Sequence, residues 1–332
     1  MTDALHPGQP QARWTSVAAW RRLFTERPII PLLGLLAILV FVSELARPGI
    51  VNAQWAGTIV RTAVPLAIIA GCQTLTMLTG GIDLSVGAVA SMAGFLVATL
   101  VAGQGLPVAI LIALIAAGLA GLISGIGIGV FRVHPLIMTL GMGLVIFGAA
   151  NAWQLLTVKT SSGVPAVIRS IGSGTFVGFL PVSLLVFVPV AAIILVGLRR
   201  TGYGRLLYAI GDNPIAARLS GARSWQVLVV LYAISAVLAA IAGFLISGFT
   251  NVASVTLADS YLLPSVAAAV IGGTSIFGGR GGYSGTIVGA LILTVATSLL
   301  YSLGFPEAVR QILFGLLIVL VAAGYARVTG EA

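Results

Sequence analysis

PVAILIALIAAGLAGLISGIGIGVF, residues 107–131, holds 25 residues and no charge. As a helix rising about 1.5 Å per residue it would reach about 37 Å, longer than the roughly 30 Å hydrocarbon core of a bilayer. A soluble helix of that length needs a polar face, and here Ser124 is the one polar side chain. Lipid is the solvent this stretch is built for. Similar blocks lie on either side of it. The first five are Pro28–Ala46, Thr58–Thr79, Leu84–Ala102, Pro107–Phe131 and Pro135–Leu156. The second five are Pro181–Leu198, Trp225–Phe249, Tyr261–Phe277, Gly285–Leu303 and Val309–Ala326. The fold class that follows is an all-α integral membrane protein of about ten transmembrane helices.

Composition agrees. Of 332 residues, 59% are hydrophobic and 8% charged, against about 45–50% and about 25% in soluble domains. The formal charge of +9 would point to nucleic acid in a soluble chain, but these arginines fall between the apolar blocks, where they set orientation. With both termini on the cytoplasmic side, that side holds Arg13, Arg21, Arg22, Arg27, Arg132, Arg199, Arg200, Arg205, Arg218, Arg223, Arg280 and Arg327. The other holds Arg47, Arg61, Lys159, Arg169 and Arg310, twelve against five. Residues 1–27 read as a cytoplasmic tail before a retained anchor helix, 28–326 as the transmembrane domain and 327–332 as a second cytoplasmic tail. Cys72, the one cysteine, excludes a disulfide framework within the chain.

Nothing assembles into an enzyme. His6 and His134 lack Cys or carboxylate neighbours at metal-ligand or triad spacing. The one lysine, Lys159, follows valine, so the phosphate-cradling Gly-Lys-Ser/Thr loop of an ATPase is missing. Asp83, pressed between two apolar blocks, admits two readings: a proton or solute contact, or a cap on the free N–H groups near Ser85 and Val86, which is preferred. Three polar pairings fall on helix faces: Gln73 with Thr76, Asn151 with Gln154, and Thr294 with Thr297 and Ser298. Each could line a path for a hydroxylated solute or simply join helices. Glycines such as Gly125, Gly127 and Gly129 allow close helix approach.

Two loops stand out. Thr157–Leu180, rich in Ser, Gly and Thr, is expected over the external mouth. Arg199–Ser224 carries five arginines and helix punctuation: Asp212 or Asn213 as N-cap, Pro214 at the first position, one or two turns over Ile215–Leu219, and Gly221 at the exit. Glycine clusters also echo between the halves: Gly80, Gly81 and Gly87 in one, Gly272 and Gly273 followed by Thr274 and Ser275, then Gly278, Gly279, Gly281 and Gly282, in the other. They suggest two related halves, repeats near 58–156 and 225–326, with glycine-interrupted spans near a solute path.

Three motifs in order, Leu78-Thr-Gly-Gly-Ile-Asp-Leu-Ser-Val-Gly-Ala88, Gly204-Arg-Leu-Leu-Tyr-Ala-Ile-Gly-Asp-Asn213 with Ala216-Ala-Arg-Leu-Ser-Gly221, and Val270-Ile-Gly-Gly-Thr-Ser-Ile-Phe-Gly-Gly-Arg-Gly281, resemble the ribose-type permeases of bacterial ABC sugar importers. The similarity runs from about Pro28 to the C-terminus. It implies an inner-membrane subunit that passes a monosaccharide from a periplasmic sugar-binding protein and works with a second permease copy and a cytoplasmic ABC ATPase. ATP and Mg²⁺ would sit on that ATPase, with no cofactor in this chain. The helix from Asn213 then resembles the coupling helix that docks into the ATPase, with Asp212, Asn213, Pro214, Ala216, Ala217, Arg218, Leu219 and Gly221 as its residues. Pro214 departs from the acidic residue often found there. Gly80, Gly81, Asp83, Ser85, Gly87, Gln73, Thr76, Asn151, Gly272, Gly273, Thr274 and Ser275 would form the path or its pivot. A proton-driven carrier using Asp83 and Glu44, or an ABC permease for nucleosides or other small solutes, are the alternatives.

Overall fold

The computed structural model describes residues 29–157, 163–313, 315, 316 and 319. Among these, eight helices are long and apolar enough to cross a membrane. They are α1 (Ile29–Ala46), α2 (Ala53–Met77), α3 (Val86–Gln104), α4 (Leu106–Gly129), α5 (Pro135–Thr157), then α7 (Ser183–Arg200), α10 (Ser224–Thr250) and α12 (Tyr283–Ser302). Shorter helices are α6 (Ala166–Ser173), α8 (Gly202–Asp212), α9 (Pro214–Leu219) and α11 (Leu262–Ile271). Residues 307–313 are helical, where the tenth block begins; most of that block lies outside the described residues, as do both tails.

The chain is an all-α membrane protein with, among the described residues, one local departure, a two-strand hairpin of β1 (Thr175–Val177) and β2 (Leu180–Pro181). It turns at Gly178, whose φ of +55 suits glycine. Tyr261–Phe277, expected as a full span, departs as well. Its helix, α11, stops at Ile271, and residues 272–282 are irregular. Hydropathy continues past Ile271, but Gly273, Gly278, Gly279 and Gly281 all take positive φ, which a right-handed helix cannot contain. Irregular backbone at membrane depth has to be buried in protein, and Thr274 and Ser275 are 2% and 3% exposed.

The core forms around α10, which packs on α2, α3, α4 and α6. Its seam with α4 is set by glycines four residues apart. A Cβ on Gly121 would overlap the Tyr232 carbonyl, one on Gly125 would fall 2.5 Å from Val229 Cα, and one on Gly129 would fall 2.8 Å from the Trp225 carbonyl. Such a stripe lets two backbones touch where lipid supplies no hydrophobic drive for association. Gly127 points elsewhere, to Met138. The opposite face of α4, with Leu111, Ile115, Leu119 and Ile123, is exposed and is the face a bilayer covers. Helices α11 and α12 also lie against α2. The α6 segment and the hairpin occupy the loop expected over the mouth. Gly172 of α6 rests on the α10 backbone at Gly248 and Phe249, and the Phe179 carbonyl lies against Gly57 at the start of α2.

Candidate functional site

Between α2 and α3, residues 78–85 are locked by side chains from several helices. Gln73, on the last turns of α2, donates through Nε2 to the Asp83 carbonyl (2.8 Å) and accepts the Asp83 N–H (3.3 Å). The Asp83 side chain is 2% exposed. Its Oδ1 accepts the Ser85 N–H (3.0 Å) and hydroxyl (2.6 Å), and its Oδ2 accepts the hydroxyl of Ser235 on α10 (2.9 Å). Thr139 on α5 accepts the Leu84 N–H at 3.0 Å and lies within donating distance of the Ile82 and Pro135 carbonyls. The carboxyl therefore faces donors from α3 and α10 rather than water. It satisfies one N–H at the start of α3, as a cap would, while Ser85 occupies the N-cap position itself. Ser85 is buried with it, and Thr76 is buried and donates back to its own helix. Gly81 admits the Tyr232 hydroxyl, 2.5 Å from where its Cβ would be, and Gly87 makes ordinary contact with Ala258.

The second break, 272–282, is built differently. Gly272 and Gly285 bring α11 and α12 together backbone to backbone; a Cβ on Gly272 would fall 2.5 Å from the Gly285 carbonyl carbon. The Ser275 N–H donates to the Arg280 carbonyl (2.9 Å), and the Gly279 N–H donates to the Leu78 carbonyl (3.0 Å), so the two breaks touch. Among the described residues the Thr274 hydroxyl is buried without a hydrogen-bond partner.

At the same end lie α8 and α9. Thr201 caps α8 by accepting the Gly204 N–H (3.1 Å). Asn213, and not Asp212, caps α9: its Oδ1 accepts the N–H groups of Ile215 and Ala216, both at 3.0 Å, and Pro214 stands at the first position. Asp212 is the last residue of α8. Gly221 leaves the helix at φ +87. Ala217 packs inward, while Ile215 and Leu219 are exposed, Leu219 by 84%. Arg218 donates through Nε to the Pro214 carbonyl (3.1 Å). Tyr208 of α8 donates to the Gly281 carbonyl (3.0 Å). Burial pushes its phenol pKa up, with Arg199 pulling partly the other way, so it stays a protonated donor at neutral pH.

The opposite end of α2 opens into a cavity of about 930 Å³. Thr58, Thr62, Thr294, Thr297 and Ser298 line it, as do Tyr261 and Tyr301; the threonine hydroxyls donate to carbonyls of their own helices, and the Ser298 hydroxyl accepts the Trp55 indole N–H. Charged groups stand at Asp259, Glu307 and Arg310; Arg310 pairs with Glu307 and lies over the Tyr301 ring at 5.8 Å. Leu66 and Leu293 line the cavity and also belong to a cluster of small buried residues, Ala67, Ala70, Ala267, Ala268 and Ala290. Of the three polar pairings read from sequence, the one at Thr294 lines this cavity. Gln73 and Thr76 are buried away from it, and Asn151 donates to the Phe147 carbonyl on α5. Thr58, Asp259, Tyr261 and Arg310 escaped the sequence reading because they sit at span ends, where a polar residue looks like a boundary.

A family model described as "Branched-chain amino acid transport system / permease component" matches residues 56–322. The chain belongs to this permease family. Among curated proteins, the permease is 34% identical over 291 residues to the ribose import permease protein RbsC of Bacillus subtilis, covering 87% of this chain and 90% of the relative. It is 30% identical over 308 residues to the fructose import permease protein FrcC of Rhizobium meliloti, covering 91% and 86%. It is 34% identical over 269 residues to the galactofuranose transporter permease protein YtfT of Escherichia coli, covering 79% and 77%. No solved structure matches. The permease is thus a transport subunit of the importer type and not an enzyme.

Proposed function

We propose that this permease conducts a monosaccharide across the bacterial inner membrane, with both termini cytoplasmic. It pairs with a second permease copy, receives sugar from a periplasmic binding protein at the cavity end, and is driven by a cytoplasmic ABC ATPase that grips α9. ATP and Mg²⁺ belong to that ATPase. The observation that carries the reading is the placement of α9. A capped, arginine-bearing helix with exposed Ile215 and Leu219 stands at the end of the bundle where both breaks meet, while the cavity lined by Thr, Ser and Tyr residues opens at the other. Large exposed apolar side chains on a short capped helix suit burial by a protein partner. The sugars named for the three relatives and the Thr, Ser and Tyr lining of the cavity support sugar as the solute class.

In this mechanism ATP binding closes the ATPase on α9, and the movement spreads the small-residue cluster below Leu66 and Leu293. Alanine surfaces interdigitate little, so two packings can lie close in energy. The permease makes and breaks no covalent bond. A proton-driven carrier fits the geometry poorly: the Asp83 carboxyl is taken by three donors, and that of Glu44 by the N–H groups of Gly49 and Val51.

Uptake by vesicles holding the permease, ATPase and binding protein tests the reading. Ribose or fructose should enter only with ATP, and leucine should not compete. Uptake by the permease alone under a proton gradient would overturn it. Replacing Arg218 by Glu, or Ala216–Arg218 by three glycines, should preserve insertion and uncouple uptake from hydrolysis; normal uptake in both would remove α9 from the mechanism.

A further inference from the structure

We propose that three glycine-bearing segments form a rigid main-chain joint that bears on the first break and carries the movement of α9 to the second, with Gly211 as its positioning residue. The proposal rests on the reading that an ATPase moves α9, and it names the part of the chain that receives that movement.

Gly211 is the last but one residue of α8, two positions before the Asn213 cap. A Cβ there would overlap the Leu78 carbonyl oxygen and come within 2.5 Å of the Gly279 nitrogen. The same Leu78 carbonyl accepts the Gly279 N–H at 3.0 Å. Gly278, at φ +97, closes the contact from above: its Cβ would lie 2.9 Å from the Gly211 carbonyl oxygen and 3.0 Å from the Gly80 nitrogen. A Cβ on Gly279 would meet Asp212 Cα at 3.0 Å. The exit of α2, the turn of the second break and the end of α8 therefore touch through main-chain atoms.

The physical consequence lies in stiffness. A contact through long side chains can absorb a small displacement by a change of rotamer, whereas backbone against backbone, in a close-packed interior, passes it on. Two further ties bind the same region to the second break: Tyr208 donates to the Gly281 carbonyl (3.0 Å) and Arg199 to the Ser284 hydroxyl (3.1 Å). The first break, by contrast, is fastened by the Asp83 lock. A push on α9 thus levers the start of α12 against a fixed point at the end of α2, and any side chain at 211 would wedge the lever apart.

The test reads cavity opening without needing a solute. Vesicles contain the permease with its ATPase, and a Thr297→Cys reporter stands in the cavity; the native Cys72 is buried. With unaltered Gly211, ATP should change the rate at which an impermeant maleimide labels the reporter. Gly211→Ala should copurify with the ATPase and hydrolyse ATP, yet reduce that ATP-dependent change by about tenfold, the scale of an overpacking cost. Gly197→Ala, whose Cβ meets nothing within 4 Å among the described residues, should behave as the unaltered chain. A full labelling response in Gly211→Ala would overturn the joint. No response to ATP even with Gly211 intact would instead overturn the ATPase reading. Should Gly211→Ala fail to assemble, spin labels at Arg205→Cys and Phe277→Cys, both exposed, decide the matter with the joint intact. Their distance should be the same with and without ATP, and a shift beyond the labels' own spread would show that the joint slides.

Discussion

Residues 78–85 and residues 272–282 each separate two consecutive helices with glycine, yet side chains hold the first and the main chain holds the second. Gln73, Asp83, Ser85, Thr139 and Ser235 tie four helices to one turn. The second break has Gly272 on Gly285, a short turn closed by Ser275 and Arg280, and an unpartnered Thr274 hydroxyl. A buried polar network specifies one arrangement when its members are satisfied, as these five are, although the Tyr232 hydroxyl beside Gly81 has no partner among the described residues. Glycine contacts specify closeness and leave direction freer. The difference assigns the first break the part of a fixed point and the second the part of a moving one.

The sharpest way to break this comparison is to remove the lock. Asp83→Ala strands the hydroxyls of Ser85 and Ser235 and should cost about 3 kcal/mol or more, seen as loss of folded protein in a denaturant titration of the detergent-solubilised permease. A loss below about 1 kcal/mol would mean the first break is not pinned there. Next in size is Gly285→Ala, whose methyl would overlap the Gly272 carbonyl. It should cost about 2 kcal/mol, with uptake falling further than stability does, because the contact is one the cycle must remake. Equal losses in both would make the second break as static as the first. Thr139→Val comes third. It deprives the Leu84 N–H of its acceptor and should cost about 1 kcal/mol, read in the same titration.

Local features were legible in the sequence and long-range ones were not. The α9 cap could be read because Asn213, Pro214 and Gly221 act within one turn of themselves, although the choice between Asp212 and Asn213 waited on where α8 ends. Most spans were placed within a few residues, since twenty apolar residues in a row have few other uses. The span at Tyr261–Phe277 misled because hydropathy carries no information on φ, and the four glycines that end the helix count as neither polar nor charged. Asp83 stands out in the sequence as unusual, but its partner Ser235 lies 152 positions away, beyond any local pattern. The cavity was the least legible part. Its hydroxyls come from the first turns of α2 and the last turns of α12, which packing alone brings together.

The smallest expected effect tests the comparison most directly, because its sign should reverse between the breaks. Thr274 and Thr139 are both buried threonines at a glycine-interrupted turn, 2% and 0% exposed. Valine replaces a hydroxyl by a methyl of similar size, so packing is nearly constant and the hydrogen bond decides. At Thr139 the hydroxyl has partners and its loss is felt. At Thr274 it has none, and burial of an unpaired polar atom already lowers stability, so Thr274→Val should be neutral or stabilising by about 1 kcal/mol. If the Thr274 hydroxyl finds a partner only in the other state of the cycle, the same substitution should slow uptake while raising the denaturation midpoint. A permease destabilised equally by both substitutions would have two locked breaks, and the proposed division into fixed and moving parts would fail.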